Sequence, residues 1–168
     1  MKKALLAILI ASMLLIPLAF YSCSSPEGFA IYLTRDDIPV AKIPVLSHVD
    51  LADKPVIATK DIISYTKDTH EIELTAEAYE RVMELKVPTT GKAFVVCVDK
   101  APIYWGAFWT GFSSQSFDGV TIWVPSLSPK ENIIQLELGY PSEGFYQGED
   151  PRSNPVIMQS LEKADKLK

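Results

Sequence analysis

The N-terminus constrains this chain most. Lys2 and Lys3 precede residues 4–21, an apolar run interrupted by Pro17. A basic start followed by such a run is the layout of a secretory signal, because the lysines stay on the cytoplasmic side while the run enters the bilayer. Such a segment adds nothing to a water-soluble core. The remaining residues must therefore fold by themselves, outside the cytoplasm.

Three fates are open to the signal. In the first, Cys23 is lipidated. Phe20-Tyr21-Ser22-Cys23 sets a small residue before a cysteine, and Ser24-Ser25-Pro26 follow as a flexible tether. This order resembles the lipobox of prokaryotic lipoproteins, in which the cysteine is acylated and becomes the new N-terminus. Phe20 departs from the pattern, which usually has an aliphatic residue there, and Tyr21 is bulkier than the usual occupant. In the second fate, Ser22 and Ser24 serve an ordinary small-residue cleavage site. In the third, the run is kept as a signal anchor, since about eighteen apolar residues is near the minimum for a span. The expected location is the extracytoplasmic side of the cell membrane, lipid-anchored, with secreted or signal-anchored forms as alternatives.

Residues 1–22 are thus expected to be signal, 23–28 tether, and 29–168 a single domain. The 146 residues after the signal are one domain's worth and enough to bury a core. The formal charge is −5, and losing Lys2 and Lys3 with the signal makes it −7. An acidic domain without a basic cluster in its sequence argues against nucleic acid as a partner. It also argues against electrostatic attachment to anionic lipid, so membrane contact is expected to come from the anchor. Of the two cysteines, Cys97 sits within the apolar stretch 94–98 and reads as a small buried hydrophobe.

Hydrophobic periodicity orders the elements. Residues 29–34 read as a strand, and 36–60, with three prolines, as loop with short strand or helical pieces. Residues 61–66 and 70–74 alternate with period two around a turn at 67–69, which predicts a hairpin with Ile63 and Tyr65 on one face. Thr75 reads as an N-cap before a helical stripe of Tyr79, Val82, Met83 and Lys86, ended by Pro88 and Gly91. Residues 92–99 predict a central strand and 103–109 its antiparallel partner. Residues 119–124 and 132–138 are expected to finish the sheet, and 139–152 to be surface loop. Asn154 and Pro155 open a final helix with a stripe of Ile157, Leu161, Ala164 and Lys168. The expected class is α+β: a mostly antiparallel sheet with one helix packed across it and a C-terminal helix.

Residues 70–79 (His-Glu-Ile-Glu-Leu-Thr-Ala-Glu-Ala-Tyr), 87–99 (Val-Pro-Thr-Thr-Gly-Lys-Ala-Phe-Val-Val-Cys-Val-Asp), 101–103 and 116–122 carry a further likeness. Together, residues 61–124 resemble the head of the large periplasmic domain of SecD and SecDF proteins, membrane partners of the protein-export channel. The resemblance implies the fold of that head and a habit of binding exported, extended polypeptide. The family's transmembrane helices have no counterpart here, so its proton pathway is not implied. A free-standing prokaryotic lipoprotein carrying this head would fit the lipobox.

Local motifs for catalysis are weak. His48 and His70 have acids nearby but lack metal-ligand spacing, and no metal or cofactor is expected. Glu143, Glu149 and Asp150 lack the ligand spacing of a calcium loop. Residues 111–115 (Gly-Phe-Ser-Ser-Gln) resemble a nucleophile elbow without its second glycine. The aromatic residues are more telling: Tyr104, Trp105, Phe108, Trp109, Phe112, Phe117 and Trp123 cluster, and they include every tryptophan. On a strand, Trp105 and Trp109 share one face and Tyr104 and Phe108 the other. Either both faces are buried, as large aromatics usually are, or one is an open surface for peptide or glycan.

The leading expectation is a non-enzymatic protein- or peptide-binding domain, contacting its ligand through Trp105, Trp109, Phe112, Ser113 and Ser114. The partner would be exported polypeptide or an envelope protein. The alternatives are a cell-envelope hydrolase using Ser113 or Ser114 with His70, and a purely structural accessory of an envelope complex.

Overall fold

The computed structural model describes residues 27–43, 45–125 and 130–168. The signal-like segment, Cys23 and most of the tether lie outside the described residues. What is described is α+β. Six strands form one sheet in the order β2-β1-β5-β6-β7-β9, and three form a second in the order β3-β4-β8. They are β1 (Phe29–Leu33), β2 (Ile57–Ala58), β3 (Ile62–Thr66), β4 (Glu71–Leu74), β5 (Lys92–Val98), β6 (Ala101–Trp109), β7 (Phe117–Trp123), β8 (Ile133–Gln135) and β9 (Glu137–Tyr140). The helices are α1 (Ala76–Met83) and α2 (Pro155–Lys163).

The uninterrupted apolar run of β5 reflects its central place between β1 and β6, with both faces covered. Phe94 and Val96 point into the main core, which also takes Ile72 and Leu74 of the small sheet, Val82 of α1, and Ile157 and Leu161 of α2. Val95 and Cys97 point the other way, against Leu46, Val49 and Leu51 of the proline-bearing segment. Burial pushes the Cys97 thiol up to about 11, so it stays protonated and inert at neutral pH. The β5–β6 turn is two residues long, and Asp99 and Lys100 both have positive φ, the geometry that matches strand twist in a tight hairpin. Gly106 faces Phe94 so closely that a Cβ there would lie 2.5 Å from the ring and 2.4 Å from the Val120 carbonyl.

Both helix starts agree with their sequence signals. Thr75 Oγ1 accepts from Ala78 N at 3.3 Å, and Asn154 Oδ1 accepts from Val156 N at 2.9 Å. Their ends differ. α1 stops at Met83, well before Pro88, and Lys86 lies exposed beyond it while Leu85 packs on the core. α2 stops at Lys163. Asp165 turns to positive φ, with Asp165 N bonded to the Glu162 carbonyl and Lys166 N to the Leu161 carbonyl, which is the hydrogen-bond pair of a Schellman cap. Lys168 is therefore not on the helix. The last residues instead run parallel to β3, with Tyr65 N bonded to the Lys166 carbonyl and Lys168 N to the Tyr65 carbonyl, and they cover that sheet edge.

Two strand expectations need correction. A bulge between Ile62 and Ser64 turns Ile63 outward, where it is 48% exposed, so Ile62 and Tyr65 fill the core instead. The stretch 132–138 is not one strand. It breaks at Leu136, leaving β8 in the small sheet and β9 in the large one. β9 carries Gly139, at φ +70, and Tyr140, both expected in the loop.

Candidate functional site

β6 and β7 are neighbours and run parallel, with Gly106 opposite Val120 and Trp109 opposite Trp123. Parallel neighbours ordinarily need a crossover of a dozen or more residues, usually with a helix. Here residues 110–116 make the return alone. Seven residues must travel back along most of a strand, which leaves length for one turn and no helix. The result is a strap lying on the outer face of the sheet. Gly111 rests on the Trp123 indole, where its Cβ would lie 3.5 Å from the ring. Ser113 Oγ donates to the Thr89 carbonyl at 2.6 Å, and the Tyr140 hydroxyl donates to the Ser113 carbonyl at 3.0 Å.

Beneath the strap is an aromatic layer. Trp109 stacks on Phe117 with centroids 5.2 Å apart and planes 11° from parallel. Tyr140 sits 5.5 Å from Trp109 and 5.0 Å from Trp123, and Trp105 lies 5.7 Å from Phe117. Gly91, at φ +78, lets the chain pass the indole of Trp109, where a Cβ would come within 2.2 Å of the ring. Beside the layer opens a cleft of about 420 Å³, walled by Trp105, Trp109, Phe117 and Phe145 with the amides of Gln115 and Gln147. Burial raises the Glu137 carboxyl, and the neighbouring Trp123 indole N–H partly opposes this.

The predicted contact residues divide. Phe112, at the strap's tip, is 85% exposed, and Ser114 beside it is exposed too. Trp105 is half-buried on the cleft wall. Ser113 is half-buried, with its hydroxyl engaged by Thr89. Trp109 needs correction as a contact residue: at 2% exposure it is packed among Gly91, Phe117 and Tyr140 and leaves almost none of its surface to the cleft. Sequence spacing gave it the same face as Trp105, but only the folded chain decided that Gly91, Phe117 and Tyr140 would cover it.

Ser113 and His70 belong to separate networks. His70 follows the β3–β4 turn at φ +54, buried, with Nδ1 2.9 Å from the Tyr65 hydroxyl. Tyr65 also reaches the Arg152 carbonyl at 3.4 Å, and Arg152 pairs with Asp150 at 2.8 Å and donates to the Leu136 carbonyl. Burial, and then the Arg152 charge, lower the His70 pKa, so the ring stays neutral. Asp150, read from sequence as an acid in a solvated loop, is held ionised by Arg152. Among the described residues no group of histidine, cysteine and acidic side chains is gathered closely enough to hold a metal ion. No described helix is long and apolar enough to cross a membrane.

A second, larger depression lies between α2, the β2 edge and Arg81 of α1, with a volume of about 1060 Å³. It includes Glu27 and Gly28, where the described chain begins. Sequence reasoning passed over it, because its lysines at 54, 60, 163 and 166 come from segments far apart in the chain.

Compared with known proteins, the chain matches no family model, no curated sequence and no solved structure.

Proposed function

We propose that this chain is a membrane-tethered, extracytoplasmic, non-enzymatic domain that binds extended polypeptide along the strap cleft. One observation carries the proposal: the cleft sets Trp105, Phe117 and Phe145 together with the amides of Gln115 and Gln147, and Phe112 stands exposed on the same strap as Gln115. Aromatic walls receive apolar side chains, while a few amides pair with a ligand's backbone. The resemblance of residues 61–124 to SecD and SecDF heads favours exported polypeptide as the ligand. The signal-like N-terminus with Cys23 favours a lipid tether. A hydrolase reading gains no support from Ser113, which is bonded to Thr89 while His70 is bonded to Tyr65.

Burial of Trp109 favours a second reading, in which the aromatic layer serves only to hold the strap and the chain is a structural accessory. Intrinsic fluorescence separates the two, because every tryptophan lies in this layer. Titration of the full chain with a reduced, carboxymethylated secretory protein is expected to shift the emission, and Phe112→Ser to weaken the response severalfold. An unchanged spectrum would leave the structural accessory. The tether is tested by intact mass from the membrane fraction: a chain beginning at Cys23 with added acyl mass, lost in Cys23→Ala, is the expected result. An unmodified full-length chain would point to a signal anchor instead.

A further inference from the structure

We propose, building on the tethered reading, that the groove between α2 and the β2 edge is the membrane-facing surface of the domain and seats anionic phospholipid headgroups. The groove holds five cationic side chains against three acidic ones, in a chain whose formal charge is −5. The acids are already engaged. Asp61 pairs with Arg81 at 2.8 Å and accepts from Ala58 N at 2.9 Å. Asp99 accepts from Gly28 N at 2.8 Å, and Glu27 meets the Tyr32 hydroxyl and, at 3.8 Å, Lys100. That leaves Lys54, Lys60, Lys163 and Lys166 with no ion-pair partner among the described residues. Val156, 48% exposed, adds an apolar contact between them.

The chain's own path selects a membrane as the occupant. Glu27 and Gly28 line the groove, and Cys23 precedes Glu27 by four residues, a reach of at most about 14 Å. An anchor at Cys23 therefore keeps this face near the headgroups, within one to two screening lengths of about 8–10 Å. Each lysine at an anionic surface strengthens attachment by about fivefold. The lysines thus orient the domain, while its acidic remainder is repelled and faces away.

The test reconstitutes the full chain into phosphatidylcholine vesicles, with and without about one-third phosphatidylglycerol, a content chosen to give the surface charge such lysines sense. Flotation reports attachment, and amine labelling read by mass spectrometry reports lysine exposure. We expect flotation with both vesicles. Labelling of Lys54, Lys60, Lys163 and Lys166 should fall severalfold on the anionic ones alone and return at high salt, while exposed Lys42 and Lys67 stay reactive throughout. Changing the four groove lysines together to glutamine should abolish the difference between vesicles in hydrogen–deuterium exchange of α2. Flotation with both but equal labelling would overturn the groove and leave the tether standing. Flotation with anionic vesicles only would remove the tether and leave the groove as the attachment. Flotation with neither would remove both. Equal protection by polyglutamate would identify an acidic polymer as the occupant and overturn the membrane assignment.

Discussion

The strap layer and the lysine groove are opposites. In the strap layer the aromatic residues are turned on one another: Trp109 on Phe117, Tyr140 between Trp109 and Trp123, and the Tyr140 hydroxyl on the strap itself. Its aromatic packing is largely consumed in holding a short parallel crossover, and of the expected contact residues Phe112, Ser114 and one side of Trp105 are left over. In the groove the acids are consumed and the cations are left over. A dense aromatic cluster in a sequence thus marks where the chain needs packing. Scattered lysines, unremarkable one by one, can converge on a face with unspent charge.

The largest expected effect lies in the strap layer. Trp109→Ala should destabilise the fold by about 3–5 kcal/mol, because it empties the space between Gly91, Phe117 and Tyr140 in the layer under the strap. Trp109→Phe should cost much less, since the indole N–H it removes is buried with no partner among the described residues. Urea midpoints measure both, and a mild Trp109→Ala would mean that the strap does not depend on its floor. Gly91→Ala is next. It combines a positive φ with a clash against the indole, for about 2–4 kcal/mol by the same measurement.

In the groove, Asp61→Asn should cost about 1 kcal/mol through the weakened Ala58 cap and Arg81 pair. The same change frees Arg81, so binding to anionic vesicles should rise. A fall instead would show that Asp61 shapes the groove more than it masks it. Glutamine at Lys54, Lys60, Lys163 and Lys166 should leave the midpoint within about 0.5 kcal/mol, because the first three are exposed, Lys166 is only half-buried, and none is in an ion pair among the described residues. A large loss there would mean that the groove is structural.

Outside both regions, His70 sets a pH response below neutrality, because its folded pKa lies below the unfolded value of about 6.5. Its contribution to stability is complete above that value and is lost as pH falls through the folded pKa. His70→Gln should flatten this part of the profile in urea titrations at pH 7.5 and 5.5. The lowered Asp150 carboxyl acts in a separate, more acidic window, losing its contribution as pH falls below about 4.

The sequence by itself determined the local elements. Thr75 and Asn154 fixed the helix starts because a side-chain oxygen beside the first free N–H groups is a short-range event. The unbroken apolar run of β5 announced a strand covered on both faces. The alternation of Trp105 and Trp109 with Tyr104 and Phe108 gave their two faces correctly. Tertiary structure decided what no neighbouring residue encodes. The bulge at Ile63 depends on pairing with β4, and the break at Leu136 depends on two sheets competing for one segment. Gly91, Phe117 and Tyr140, from three parts of the chain, met to bury Trp109. The groove needed lysines more than a hundred positions apart to be brought to one face (Lys54 and Lys166), beside Glu27 and Gly28. Caps and periodicity act over a few residues and can be read in order, whereas burial and charge balance are sums over residues that meet only when the chain has folded.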